Sequence, residues 1–313
     1  MRSQMPIDTP LAWKSAEAPF GKLSKDRWKS LAAVSLPYLL ILPAVTLVFG
    51  ITAYPTLQVI ASSLTNWSLD RTQIDFIGLK NYAWLALDPQ FWLTLRNTAI
   101  FSVGVLFLVL TLGLLLALAL NEELRLRAFF RTSVVLPWAI TATVTGVMWR
   151  WMLMPDIGLV TYVLERFGAH VPFLLDSRVA LAMLVVVEVW RSTGYGMILL
   201  LAGLQGIDPT LHEAAKLDGA TYVQYVRRVV IPLLVPTILI VTILMSIRTV
   251  NLIDLVLVLT GGGPARQTET LGLFMWKESF QLYGVGYGSA IAVVMFALNI
   301  VMTFFYIKVL VAD

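Results

Sequence analysis

Long apolar runs separated by short polar loops dominate the pattern of the chain. A membrane-spanning helix needs about 20 apolar residues, and the segments that meet this length are residues 36–62, 94–121, 131–154, 180–205, 229–259 and 286–309. Residues before the first run are polar, mixed in charge and without periodicity. The pattern predicts an all-α integral membrane protein with six transmembrane helices. It has a tail over residues 1–30 and a transmembrane domain over residues 31–313.

Composition agrees with a membrane protein. The chain has 313 residues, of which 58% are hydrophobic and 13% are charged, whereas a soluble domain is about half apolar and a quarter charged. The first apolar run is longer than the roughly 7–15 residues of a signal-peptide core, so we expect an uncleaved first span. The absence of cysteine excludes disulfides and thiolate chemistry.

The distribution of Lys and Arg predicts the orientation. Thirteen of the 23 basic residues fall in the N-terminal tail, the loops after the second and fourth spans, and the C-terminal tail, whereas six fall in the opposite loops. Basic residues are enriched on the cytoplasmic side of a membrane. The bias therefore predicts that both termini and the loop at residues 205–230 are cytoplasmic.

Enzyme and metal motifs are missing from the sequence. No GxxxxGK[ST] phosphate-binding loop occurs, so the chain is not expected to hydrolyse nucleotide. His170 and His212 fall in opposite loops and cannot form one metal site. The Gly261–Pro264 stretch lacks a following Lys-Ser/Thr pair, which argues against phosphate binding. We predict no catalytic residue, no metal, no cofactor and no nucleic-acid partner.

One polar loop carries an unusual amount of local structure. Residues 211–238 read LHEAAKLDGATYVQYVRRVVIPLLVPTI. Asp208 and Pro209 favour a helix start just before this stretch, and Gly219 permits the left-handed conformation that ends a helix. The pattern predicts a helix over residues 210–217 and a second short helix over residues 222–228 before the next span. An ordinary amphipathic loop at the membrane surface is the alternative.

The spacing of Glu213-Ala214-Ala215, Gly219 and Ile231-Pro232 resembles the EAA signature of permease subunits in binding-protein-dependent ABC importers. The resemblance implies the fold of a type I importer permease. In that family the loop docks into a separate ATPase dimer, which binds ATP and Mg²⁺. The resemblance assigns ATPase coupling to Glu213, Ala214, Ala215, Gly219 and Pro232. It also implies a second, non-identical permease and an extracytoplasmic binding protein as partners.

Further stretches resemble the sugar-import branch, similar to maltose and glycerol-phosphate permeases of the first-subunit type. They read FIGLKNYAWL with DPQFWLTLRNT, FFRTSVVLPWAI, LLLAGLQGIDP and LVLTGGGPARQTETL. The resemblance implies a permease of the bacterial inner membrane. Its expected substrate is a carbohydrate, such as a disaccharide or an oligosaccharide, delivered by the binding protein.

Polar and charged residues inside two predicted spans form the candidate substrate site. Ionisable residues within spans are costly and are usually functional. The candidates are Glu188, Arg191, Ser192, Tyr195, Arg248, Asn251 and Asp254. The first four are spaced i, i+3, i+4 and i+7, which places them on one helix face. Arg, Glu, Asn and Tyr bind sugar hydroxyls and ring faces, and the matching stretches of maltose-type permeases line the sugar pocket.

Two other interpretations of these residues stay open. Glu188 or Asp254 can instead form a buried ion pair with Arg191 or Arg248 that holds two spans together. Glu188 and Asp254 can also carry protons in a proton-coupled secondary transporter, although the chain has no visible inverted repeat. The intramembrane charges argue against a membrane scaffold without transport.

Overall fold

The computed structural model describes residues 38–122, 125–155 and 157–311, with side chains up to residue 308. The predicted tail over residues 1–30 and the start of the first span lie outside these residues. The described residues fold into helices joined by short loops, and a single β-bridge pairs Thr65 with Phe76. The helices are α1 (Tyr38–Ser62), α2 (Lys80–Leu87), α3 (Pro89–Asn121), α4 (Arg127–Ala139), α5 (Ala142–Leu153), α6 (Leu159–Arg166), α7 (Ser177–Gln205), α8 (Thr210–Leu217), α9 (Tyr222–Val250), α10 (Asp254–Leu259), α11 (Leu271–Trp276) and α12 (Val285–Val311).

Five of these helices, α1, α3, α7, α9 and α12, are long and apolar enough to cross a membrane. Their first turns have clear sequence causes. Asp88 accepts a hydrogen bond from the Gln90 amide at the start of α3, with Pro89 in the first turn. Asp176 accepts hydrogen bonds from two amides at the start of α7. Such caps satisfy backbone donors that have no partner within the helix.

The third predicted span, residues 131–154, is not one straight helix. Helices α4 and α5 replace it and are bent by 94° at a short break. The Thr141 side chain accepts a hydrogen bond from the Val144 amide and so starts a new helix there. The apolar pattern could not reveal this break, because apolar residues continue on both sides of it. The chain has six spans only if this bent pair counts as one.

The fifth predicted span, residues 229–259, also has different bounds. Helix α9 begins earlier, at Tyr222, and ends at Val250, and the separate helix α10 starts at Asp254. The expected second short helix over residues 222–228 is therefore the first part of α9. Thr221 forms a capping box with Gln224, which explains the early start.

The described residues divide into two units, one that ends at Leu57 and one that begins at Gln58. The core of the second unit lies between α3, α7 and α9. Its fully buried members include Phe101 and Val109 from α3, Met197 from α7 and Met245 from α9. Other faces of α3 and α12 expose large apolar side chains such as Phe107 and Phe304. Exposed apolar helix faces of this kind suit a lipid environment.

Candidate functional sites

A charged cluster lies inside the bundle between α7 and α9. Glu188 is fully buried, and Arg191 donates to it in bidentate fashion. Arg191 Nε lies 3.0 Å from Glu188 Oε2, and Arg191 Nη2 lies 3.0 Å from Oε1. The Ser192 hydroxyl donates to Oε1 at 2.6 Å. The i, i+3, i+4 spacing on α7 therefore forms a complete local set of donors around one carboxylate.

Arg248 reaches the same carboxylate from α9. Its Nε lies 3.7 Å from Glu188 Oε1, and 27% of its side chain is exposed. The structure thus contains the ion pair that the sequence allowed, and it joins the two helices that were expected to carry the substrate site. Burying an ion pair needs close geometry and further hydrogen bonds. Arg191 and Ser192 meet that requirement, whereas Arg248 makes one longer contact.

The remaining predicted site residues lie around this cluster without joining its salt bridges. Tyr195 is half-buried and stacks on Trp138 of α4, with ring centroids 5.2 Å apart. Asn251 is exposed, and its side-chain amide donates to the Ile247 carbonyl at 2.6 Å. Asp254 is exposed at the start of α10. No salt bridge of Asp254 occurs among the described residues.

The contact of Trp138 with Tyr195 and the packing role of Gly194 were not predicted from the sequence. A Cβ atom at Gly194 would lie 2.3 Å from the Val134 carbonyl oxygen, so this glycine lets α4 and α7 pack closely beside Tyr195. Val134 and Gly194 lie far apart in the chain, so neither segment alone predicts that they are in contact.

Two open apolar grooves lie beside these helices. One of about 520 Å³ lies between α4 and α7, and one of about 420 Å³ lies between α9 and α12 and includes Asn251.

The second site is helix α8 with the loops beside it. The Asp208 carboxylate accepts a hydrogen bond from the Thr210 amide at 2.9 Å, and this bond holds the pKa of Asp208 below its ordinary value. Gly219 has φ +72°. Ala220 and Gly219 donate to the Ala215 and Lys216 carbonyls, the bonding pattern of a Schellman C-cap. Both ends of α8 are therefore fixed by local hydrogen bonds, as the sequence predicted.

Helix α8 exposes most of its surface. Leu217 is 89% exposed, and Glu213 and Ala214 are exposed as well, whereas Ala215 is partly covered. His212 packs on Tyr225 of α9, with ring centroids 4.6 Å apart. Pro232 lies within α9. An exposed apolar residue on a short helix with fixed ends can contact another protein without first being ordered.

A second buried glutamate lies at the other end of the bundle and was also missed. Glu269 is fully buried, and the contacts of its carboxylate are with Lys277 at 2.7 Å, with Arg266 at 2.8 Å and with Gln90 at 2.8 Å. Arg266 also faces Glu278 at 3.6 Å. In the sequence, the i, i+3 spacing of Arg266 and Glu269 is the only indication of this ion pair. Burial raises the pKa of Glu278 above its ordinary value.

The fold and these two sites define a class, a polytopic helical membrane protein with an exposed, capped helix between two spans. Its fold is like that of a crystal structure of a bacterial alginate ABC transporter in complex with a periplasmic protein bound to an alginate pentasaccharide. The TM-score is 0.78 at 22% identity, over 90% of this chain and 96% of that chain. Among the described residues, no three His, Asp or Glu side chains are grouped so that they could hold a metal ion.

The family described as "Binding-protein-dependent transport system inner membrane component" matches residues 109–309. The sulfoquinovosyl glycerol permease SmoG of Agrobacterium fabrum is 33% identical over 91% of this chain and 93% of its own. The trehalose/maltose permease MalF of Thermococcus litoralis is 34% identical over 88% of this chain and 93% of its own. The chain belongs to this family of ABC importer permeases and resembles its sugar-type members.

Family membership fixes the class of protein. The chain is a multi-pass inner-membrane permease subunit and not an enzyme, and ATP is handled by a partner ATPase. The chain is therefore an ABC permease and not a proton-coupled secondary transporter.

Proposed function

We propose that this chain forms one half of the translocation path of an ATP-driven carbohydrate importer. An extracytoplasmic binding protein delivers the substrate, expected to be a disaccharide or an oligosaccharide, and a second, non-identical permease forms the other half of the path. Similarity to SmoG and MalF, whose names state carbohydrate substrates, supports the proposal. Both termini and α8 lie on the cytoplasmic side, in keeping with the bias in basic residues.

Helix α8 is the element that couples this chain to the ATPase dimer. The supporting observation is its combination of fixed ends and exposure: Gly219 closes the C-terminus at φ +72°, and Leu217 is 89% exposed. A rigid exposed helix transmits a displacement of its partner to α7 and α9, because loops of only a few residues join it to both. Glu213, Ala214 and Ala215 provide its charged and small-residue surfaces, Gly219 ends it ahead of α9, and Pro232 lies within α9, which receives the displacement.

The substrate passes the charged cluster on α7 and α9. Arg248 and Asn251 can donate hydrogen bonds to hydroxyl groups, and the ring of Tyr195 can pack on the C–H face of a sugar. The buried Glu188, Arg191 and Ser192 hold the site in place behind them. Asp254, exposed at the start of α10, is a further proposed contact. The geometry that supports this role is the position of Arg248, partly exposed beside a completely buried ion pair.

The coupling role is tested by sugar uptake in cells that express the complete importer. Gly219→Pro and Glu213→Lys should each abolish uptake and release the ATPase during purification, while the chain stays inserted in the membrane. Gly168→Pro is a matched control, because Gly168 also has positive φ, at +78°, in a loop away from α8. Glu165→Lys is the charge control. Normal uptake by the Gly219→Pro variant would contradict the proposal.

A further inference from the structure

The charged cluster between α7 and α9 carries more positive than negative charge. Glu188 contributes one carboxylate, and Arg191 and Arg248 contribute two guanidinium groups. Arginine stays protonated in proteins. Among the described residues, Glu188 is the only carboxylate within salt-bridge distance of either arginine. The cluster therefore contains one positive charge that no carboxylate of the cluster balances.

The surplus charge is located on Arg248. Arg191 is 5% exposed and forms both bonds of a bidentate pair with Glu188, so its charge is matched. Arg248 contacts the same carboxylate at 3.7 Å, too long for a hydrogen bond, and keeps 27% of its side chain accessible. The fixed pair thus leaves a second guanidinium with its donors available at the surface of the cluster.

Arg248 lies in the last turn of α9 but beside Glu188 in the interior of α7, and an unmatched charge at that level of a span is costly. An arginine at the centre of a span costs about 2.5–3.5 kcal/mol on insertion scales, and such residues are retained where they bind ions or substrates. A neutral sugar needs hydrogen-bond donors and acceptors, which Asn or Gln supply without this cost. A carboxylate, sulfonate or phosphate group on the substrate would use the charge directly, through a charge-assisted hydrogen bond.

We infer that the carbohydrate that passes this site is anionic, with an acidic group that binds Arg248 while Glu188 and Arg191 stay paired. The inference rests on the proposed function and narrows its substrate class to acidic sugars, such as uronates, sulfonated sugars or sugar phosphates. Tyr195 and Asn251 would contact the uncharged part of the molecule. Glu188 then has a positioning role, since it fixes Arg191 and orients Arg248.

The test uses the complete importer with its own binding protein in proteoliposomes and sugars in matched pairs. The pairs are digalacturonate with galactobiose, and glucose 6-phosphate with glucose. Transport of an acidic member should exceed that of its neutral partner, and Arg248→Gln should lower it about tenfold or more, the size expected for a hydrogen bond to a charged group. Arg248→Lys keeps the charge and should retain more transport than Arg248→Gln.

Arg150→Gln is the control, because Arg150 lies on α5 and donates to the Val258 carbonyl, a bond that glutamine can also make. It should leave transport unchanged. Stimulation of the ATPase by the binding protein should persist in the Arg248→Gln variant, which separates a substrate contact from a coupling defect.

Three results would overturn the inference. The first is transport of the neutral members at least as fast as that of the acidic members, with no loss of acidic transport in the Arg248→Gln importer, which would leave the proposed carbohydrate import intact. The second is loss of the second permease from the purified Arg248→Gln complex, which would assign the arginine to an ion pair between subunits. The third is import of an amino acid or a metal ion in place of any sugar, which would also refute the proposed function itself.

Discussion

The structure contains two buried glutamates, Glu188 and Glu269, that lie in different parts of the bundle. Both are surrounded by basic side chains, but the balance of positive and negative charge around them differs. Glu188 and Glu269 are both fully buried, and each faces two basic side chains. Around Glu269, Arg266 also faces Glu278 at 3.6 Å, so two carboxylates balance Arg266 and Lys277. Around Glu188 no second carboxylate lies within salt-bridge distance among the described residues.

The two surroundings distinguish a charge-balanced network from the cluster that we propose to bind substrate. The Glu269 network ties the segment before α11 to α3, because Gln90 donates to Glu269 and Asn97 donates to the Gln267 and Glu269 carbonyls. Every charge in it is matched within the chain. The Glu188 cluster ties α7 to α9 and still leaves the charge of Arg248 unmatched. A charge that the fold does not neutralise is available to a ligand.

The largest loss of stability is expected when Glu188, the carboxylate of the cluster between α7 and α9, is removed. Glu188→Leu leaves Arg191 buried without a partner, and breaking a buried pair costs about 3–5 kcal/mol. Thermal unfolding of the purified importer in detergent measures the loss. The double variant Glu188→Leu with Arg191→Leu should regain most of the stability, because an apolar pair of similar volume replaces an ion pair at little cost. Failure of the double variant to regain stability would contradict this account of the pair.

Removal of Glu269, the buried carboxylate of the balanced network, should lower the stability by a smaller amount. Glu269→Leu leaves Lys277 and Arg266, whose side chains are 17% and 43% exposed and can turn toward water. We expect about 1–3 kcal/mol, the cost of leaving buried polar groups without partners, measured by the same unfolding experiment. A loss as large as that of Glu188→Leu would remove the distinction between the two surroundings.

Substitutions of the partly exposed Arg266 and Arg248 should change stability in opposite directions. Arg266→Gln removes two ion pairs and should lower stability by about 1 kcal/mol or less, since partly exposed pairs contribute little. Arg248→Gln removes a surplus charge and should leave the stability of the substrate-free importer unchanged or slightly higher. If Arg248→Gln is the more destabilising of the two, the arginine serves the fold and the surplus-charge interpretation is wrong.

The smallest effect is a dependence on pH at Glu278. Burial raises the pKa of this carboxyl in the folded protein, so its contribution to stability is present below the pKa of the unfolded chain. That contribution is lost as the pH rises through the raised folded value. Glu278→Gln should therefore remove a fall in unfolding temperature that accompanies rising pH above the pKa of the unfolded carboxyl. An unchanged profile in the variant would assign that titration to another group.

Much of the fold follows from local pattern. Apolar runs predicted five spans that the structure contains as single long helices, and Asp208 and Gly219 predicted the ends of α8. The break between α4 and α5 was not predicted, because it depends on a cap at Thr141 inside an uninterrupted apolar run. The end of α9 at Val250 was misplaced for a different reason, since apolar residues resume after the polar stretch 248–254 and extend the predicted span to residue 259.

The sequence alone determined the class of protein, the capped ends of helix α8, which we propose to face the ATPase, and the helix face that carries Glu188, Arg191 and Ser192. These features depend on neighbours within one or two helical turns, where spacing fixes geometry. The tertiary structure decided that Arg248 of α9 shares Glu188 with Arg191, that Trp138 stacks on Tyr195, and that Glu269 joins α3 to the segment before α11. Each of these contacts joins residues from different helices, so its distance depends on how the helices pack and not on their separation in the chain.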